Sequence, residues 1–146
     1  MTAAAEPQNL TDAQRWQSIS SVAFAMLGAG LTFGMSGPLL AFVLNARGVE
    51  ATLIGINAGL GSIGIFSAGL VTPLIAMKFG GFRTLCFGMA ASAVLLLAST
   101  FTASLPLWFV LRFASGFCAG LFWVIAETWV NRVATEELRG RMVSLY

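Results

Sequence analysis

The chain has 146 residues, of which 58% are hydrophobic and 10% charged, and its mean hydropathy is +0.85. Soluble globular domains carry about 25% charged residues, so this composition indicates a membrane protein and excludes an ordinary soluble domain. The formal net charge of +2 is too small to predict a nucleic-acid partner. The absence of histidine excludes catalytic triads with a histidine base and histidine-ligated metal sites.

Four long apolar runs predict four transmembrane helices, at residues 19–44, 51–77, 84–103 and 106–130. Each run reaches the length of about 20 residues that a helix needs to cross a hydrocarbon core of about 30 Å. Strict alternation of apolar and polar residues, the pattern of membrane strands, does not occur. Residues 1–18 then form a cytoplasmic tail, and residues 131–146 form a cytoplasmic loop whose apolar end predicts the start of a fifth helix. Both pieces are too short for a soluble enzyme domain.

The first two predicted spans each carry one face of small and polar residues. In span one this face consists of Ser21, Gly28, Thr32 and Ser36. In span two it consists of Asn57, Gly61, Gly64 and Ala68. Small residues let helix backbones approach closely in lipid, so the face of span two predicts a helix-packing surface with one polar group. Gly37 and Pro38, which follow the face of span one, can bend that helix.

The basic residues are distributed unevenly over the predicted loops, which sets the expected orientation. A tight turn between spans two and three holds Lys78, Gly80 and Arg83, and further arginines follow span four. The other two loops hold only Arg47. By the positive-inside rule, the basic turn, the segment after span four and the N-terminus face the cytoplasm. We expect an integral protein of a bacterial inner membrane in this orientation.

Span three carries no charge or amide and is therefore the span that we expect to face lipid. The two cysteines, Cys86 and Cys118, lie inside spans and form no CxxC motif, so we predict neither a disulfide nor a metal site. No cofactor is expected.

Span four differs from the others because two charges interrupt its apolar run. On an ideal helix, Arg112, Gly116, Gly120, Trp123 and Glu127 project within about 80° of one another, so both charges lie on one stripe. A charge near the centre of a span costs about 2.5–3.5 kcal/mol on insertion scales, so this stripe should face protein or water. Two interpretations of Arg112 remain open: a cation with a structural partner, or a buried charge that lines a solute or proton path.

Two interpretations of Glu127 also remain open. The carboxylate forms a salt bridge with Lys78 or Arg83 across the basic turn, or it carries protons. Such a bridge would act as a gate if it opened during a transport cycle, so the two interpretations overlap.

The fourth span resembles a motif of the major facilitator superfamily. Arg112, Gly116 and Gly120 form the pattern R-x-x-x-G-x-x-x-G of that family's fourth helix, with Ser115 where the motif often has a glutamine. The segment ETWVN, which begins at Glu127, and the downstream RGRMVSLY are similar to sugar-transporter-like members of the family.

The turn PLIAMKFGGFR occupies the place of the same family's loop motif, G-x-x-x-D-x-x-G-[RK]-[RK]. Alignment on Gly80 puts Met77 where the motif has its aspartate, so that carboxylate is absent from this turn. The matches run from span two to the end of the chain, and their order and spacing agree with the family.

The resemblance implies that the chain forms the first four helices of a six-helix N-terminal half, with helices one and four lining a central cavity and helix three outside. It implies a secondary active transporter that moves a small solute across the bilayer by alternating access, with a coupling ion such as H+. Arg112 would be the buried cation of this path, and Glu127 would join a cytoplasmic gate with Lys78 or Arg83. The expected cavity-lining residues are Thr32, Ser36 and Trp123.

Two other functions stay open from the residues alone. Four spans would suffice for a self-contained exporter that works as a dimer, although the essential glutamate of small multidrug transporters belongs to the first span, which has none here. The glycine faces would also suit a non-transporting membrane scaffold or accessory subunit. An enzyme is not expected, because the sequence offers no pair of nucleophile and base and no metal cluster.

Overall fold

A computed structural model describes residues 12–102 and 104–133 of the chain. This part forms four helices and no strand: α1 (Asp12–Ala46), α2 (Ala51–Phe79), α3 (Gly81–Thr100) and α4 (Leu105–Val133). Each helix contains a segment long and apolar enough to cross a membrane, which confirms the predicted all-α membrane protein with four spanning helices.

The helix limits follow the apolar runs closely, with one difference. Helix α1 begins at Asp12, inside the predicted tail, whereas the other limits differ from the predicted ones by less than one helical turn. The helix assignment of α1 continues through Pro38, where a bend is predicted. Most of the predicted tail and the predicted start of a fifth helix lie outside the described residues.

The two ends of the antiparallel bundle are closed in different ways. At one end, here called the Arg47 end, the α1–α2 loop contacts the α3–α4 link, because Arg47 Nη1 donates a hydrogen bond to the Thr102 carbonyl oxygen at 3.0 Å. At the other end, called the Gly80 end, Gly80 alone joins α2 to α3. Its φ of +88° lies in the left-handed region that favours glycine, and its N–H caps α2 by donating to the Ala76 carbonyl oxygen at 2.9 Å.

Helix α4 is the centre of the bundle, because it packs along both α2 and α3. Its contact with α2 brings the backbones of the two helices close together at glycines. A Cβ on Gly116 would collide with the Gly61 carbonyl oxygen, and a Cβ on Gly120 would lie 2.7 Å from the Cβ of Ala68. Because hydrophobicity does not drive helices together in lipid, this close approach is what holds α2 against α4.

Helix α3 packs on α4 through one narrow face, whose buried residues are Thr84, Gly88, Ser92 and Ser99. A Cβ on Gly88 would lie 2.7 Å from the Cys118 carbonyl oxygen, so this contact also depends on a glycine. The opposite face of α3 is exposed, as expected for a helix that meets lipid. However, α1 rather than α3 has the smallest buried share of the four spans.

Candidate functional site

The guanidinium of Arg112 is enclosed between α4 and α1. The side chain is only 8% exposed. Its Nη1 donates a hydrogen bond to Ser36 Oγ at 3.2 Å, and its Cζ lies 5.4 Å from the centroid of the Phe33 ring. Helix α1 therefore supplies one polar and one aromatic neighbour to a cation carried by α4, and both act on the charged group.

Glycines on the neighbouring helices make room for this guanidinium. A Cβ on Gly61 of α2 would lie 2.9 Å from Arg112 Nε and 3.3 Å from its Cζ. A Cβ on Gly37 of α1 would lie 3.7 Å from Nη2, which is ordinary contact. Gly61 thus has two roles: it lets α2 touch α4, and it leaves the space that the arginine fills.

The polar groups around Arg112 are incompletely paired. No carboxylate of the described residues lies within ion-pair distance of its guanidinium. Arg112 Nε and the nearby Asn57 Nδ2 are both buried without a hydrogen-bond partner among these residues. A buried donor without a partner costs about 1–3 kcal/mol, and more if it is charged, so this is the least satisfied region of the bundle interior.

A cavity of about 590 Å³ lies between α1, α3 and α4, and Ile65 of α2 also lines it. Of the three residues expected to line a cavity, Thr32 of α1 and Trp123 of α4 are on this wall, whereas Ser36 is not and its hydroxyl contacts Arg112. Met89 and Ser92 show that α3 also forms part of this wall, although the family resemblance places helix three outside. The reason is that α1 makes few packing contacts with the other helices, which leaves space between α1 and α3.

Phe33 is a residue that the sequence analysis missed. It lines the cavity, while Arg112 does not, and the same ring lies beside the arginine. The ring therefore stands between the large cavity and the cation. Its position one residue after Thr32 and three before Ser36 places it on the same part of α1, but a phenylalanine in an apolar run gives no distinct signal.

The charged residues at the Gly80 end do not meet one another. Glu127, Lys78 and Arg83 are all exposed, and no ion pair joins them in the described part of the chain. Lys78 Nζ instead lies 5.4 Å from the ring centroid of its neighbour Phe79. The helices do approach here, because a Cβ on Gly81 would lie 3.8 Å from Cγ2 of Ile125.

A second polar cluster, also missed, closes the Arg47 end. The Thr102 carbonyl oxygen accepts hydrogen bonds from Arg47 Nη1 at 3.0 Å and from Trp108 Nε1 at 2.8 Å. Arg47 Cζ lies 5.2 Å from the ring centroid of Trp108, which is only 3% exposed. This cluster ties the α1–α2 loop to the start of α4.

Neither cysteine has a chemical partner among the described residues, where Cys86 is exposed and Cys118 buried and both are free. Within the same residues, no group of three or more potential ligands could hold a metal ion.

Comparison with known proteins identifies the family. The model of the major facilitator superfamily matches residues 22–146. The MFS-type transporter YfkF of Bacillus subtilis is 25% identical over 118 residues, which cover 81% of this chain and 30% of the relative. The arabinose-proton symporter of Escherichia coli K12 is 26% identical over 149 aligned positions, which cover 96% of this chain and 30% of the symporter. No solved structure matches the chain.

The chain thus spans about a third of the length of these curated relatives. Both relatives are named as transporters, which supports the prediction that the chain is not an enzyme. The family match extends over four helices that can each span a membrane, so the chain is an integral membrane protein. It belongs to the major facilitator superfamily.

Proposed function

We propose that the chain is the N-terminal part of a secondary active transporter, which moves a small solute across the membrane by alternating access and couples this movement to an ion such as H+. The observation that carries the proposal is Arg112, a cation buried next to a large cavity with no carboxylate beside it in the described residues. A charge in this position is costly, and such residues within spans mark solute and ion pathways. The named arabinose-proton symporter supports a sugar-sized solute and H+.

The packing suggests which helix moves. Backbone contacts through Gly61, Gly64, Gly116 and Gly120 join α2 to α4, and Gly88 joins α3 to α4. Helix α1 has far fewer contacts, and the bond from Arg112 to Ser36 is its one polar side-chain link to α4 among the described residues. We infer that α2, α3 and α4 move as one unit, and that α1 shifts against them when the Arg112 bond breaks.

We also propose that Glu127, Lys78 and Arg83 form a cytoplasmic gate at the Gly80 end, in a bacterial inner membrane with the N-terminus in the cytoplasm. All three side chains are exposed, so they are free to pair in another conformation of the transport cycle. Gly80 fixes the turn that carries the two cations, because it is the single residue between α2 and α3. Thr32, Ser36 and Trp123 would face the solute path.

The test is uptake by the full-length protein in proteoliposomes, with labelled arabinose and a panel of other sugars under an imposed pH gradient. We expect accumulation that a protonophore abolishes and that Arg112→Gln strongly reduces. Glu50→Gln is the control, because it neutralises an exposed charge in the α1–α2 loop, outside the proposed path. Absence of uptake for every sugar would reject the proposed substrate class. Uptake at the wild-type rate by the Arg112→Gln variant would reject a role for Arg112 in transport.

The size of the natural product and the effects of variants distinguish the transporter from the dimeric exporter and the scaffold. An N-terminal epitope tag on the natural product should label a band well above 15.4 kDa, because the relatives are about three times as long as the part they share with this chain. A band at 15.4 kDa would favour the dimeric four-helix exporter instead. Variants of Arg112 or Glu127 that change assembly without changing any flux would favour the scaffold.

A further inference from the structure

Two residues on different helices, each with a buried unpaired hydrogen-bond donor, line one small cavity. Asn57 of α2 is 3% exposed and Arg112 of α4 is 8% exposed. Asn57 Nδ2 and Arg112 Nε have no hydrogen-bond partner in the described part of the chain. Both residues line a cavity of about 10 Å³ among the four helices, which is distinct from the large cavity.

The size of this cavity restricts what can occupy it. A cavity needs about 10–15 Å³ of this measure to hold one water molecule, so the space fits a single water and excludes a sugar or a carboxylate. A buried water is stable only where it finds two to four polar partners. The two unpaired donors supply the first two of these.

Two serines on the same wall supply the acceptors. Ser99 of α3 is buried, and its hydroxyl donates to the Leu96 carbonyl oxygen at 2.6 Å. Ser115 of α4 is also buried, and its hydroxyl donates to the Arg112 carbonyl oxygen at 3.0 Å. Each hydroxyl proton is therefore in use, so the two oxygens of these lining serines can form a further hydrogen bond only as acceptors.

We propose that one ordered water occupies this cavity. The water accepts hydrogen bonds from Arg112 Nε and Asn57 Nδ2, and it donates to Ser99 Oγ and Ser115 Oγ. Its four bonds satisfy both unpaired donors and connect α2, α3 and α4 around the guanidinium. The inference rests on the packing of these helices and holds whatever solute the protein moves.

The direct test is a structure of the full-length protein at a resolution that shows ordered waters. We expect density for one water within hydrogen-bonding distance of Arg112 Nε and Asn57 Nδ2. A direct bond from Arg112 Nε to the Asn57 amide oxygen, with the cavity dry, would overturn the proposal. A dry cavity with both donors still unpaired would overturn it as well.

A double-mutant cycle gives a second readout in solution. Asn57→Leu removes one donor to the water, and Ser99→Ala removes one acceptor without affecting any direct hydrogen bond between helices. Each change should lower the midpoint of thermal unfolding of the full-length protein, and the two together should lower it by less than the sum, because the same water is lost only once. If the two shifts of the midpoint add fully, the proposed water is overturned.

The control pair combines Asn57→Leu with Ser67→Ala. Ser67 also bonds its own helix, donating to the Ile63 carbonyl oxygen at 2.7 Å, and it does not line the small cavity. The shifts of this pair should add. Coupling in the control pair as large as that of Asn57→Leu with Ser99→Ala would show that the cycle reports general packing and would overturn its assignment to the water.

Discussion

Gly61→Ala changes the molecule by one methyl group placed directly against the buried cation. The three nearest atoms to the new Cβ all belong to Arg112: Nε at 2.9 Å, Cζ at 3.3 Å and Nη2 at 3.5 Å. Carbon atoms and their neighbours prefer separations of about 3.5–4.0 Å, so the guanidinium must retreat by about 0.6–1 Å. The bond from Nη1 to Ser36 Oγ is already 3.2 Å long, and we expect a shift of this size to break it.

The size of the effect follows from the two terms that change. Loss of a hydrogen bond to a charged group destabilises the protein by about 1.5–3 kcal/mol, while replacing glycine by alanine within a helix stabilises it by about 1 kcal/mol. The net destabilisation is therefore about 0.5–2 kcal/mol, which is a factor of about 2–30 in the occupancy of the native arrangement. We expect a lower midpoint of thermal unfolding and slower solute uptake by the full-length protein.

Gly59→Ala is the matched control for this prediction. It makes the same substitution on the same helix, but a Cβ at Gly59 would meet nothing within 4 Å. The control should therefore keep or slightly raise the midpoint, because only the helix-propensity gain remains. Equal midpoints and equal uptake for the two variants would refute the proposed collision.

A double mutant tests whether the methyl group of Gly61→Ala collides with the Arg112 side chain. If the Arg112 side chain is what the methyl group meets, Gly61→Ala should lower the midpoint far less in an Arg112→Ala background than in the wild type. The same loss in both backgrounds would show that the methyl group disturbs the α2–α4 backbone contact instead.

Three further changes test other parts of the structure. Ser36→Ala should destabilise the protein by about 1.5 kcal/mol, which is the low end for a hydrogen bond to a charged group. The same change should release α1 from Arg112, and the chemical accessibility of cysteines placed along α1 would report this release. Trp108→Phe keeps the ring beside Arg47 but removes the donor to the Thr102 carbonyl oxygen, so chemical denaturation should show a loss of about 1 kcal/mol; no loss would mean that water replaces the bond. Glu127→Gln should leave the thermal midpoint unchanged because the carboxylate is exposed, while a gating role would appear as altered uptake.

The helices and the packing faces of α2 and α4 could be predicted because both depend on patterns within one segment. Helix length follows from the apolar runs, and the spacing of Gly61 and Gly64 on α2 and of Gly116 and Gly120 on α4 places each pair on one helix face. These glycines now lie within backbone contact of the facing helix. Periodicity shows which face packs, but it does not show which helix it packs against.

The surroundings of Arg112 could be predicted only in part. The charge itself is conspicuous in an apolar run, and Asn57 was recognised as the one polar group on its face of α2. Phe33 and Ser99 were not recognised, because aromatic and hydroxyl residues are common in spans and only the packing of α1 and α3 brings them to the site. The Arg47 cluster was missed for a related reason: it joins a loop to a backbone carbonyl, which has no side-chain signature at all.

The wall of the large cavity determines how a molecule that enters it exchanges its hydration shell. Among the described residues, no charged side chain lines this cavity, and Thr32 and Ser92 are the residues that contribute hydroxyls to it. A charged molecule would give up strongly bound water without meeting a fixed opposite charge here, which is a penalty of several kcal/mol. A neutral, hydroxylated molecule loses far less water and can replace part of it at the two hydroxyls. We therefore expect this wall to favour neutral, hydroxylated molecules over charged ones, with the Arg112 side chain behind the Phe33 ring and off the cavity wall.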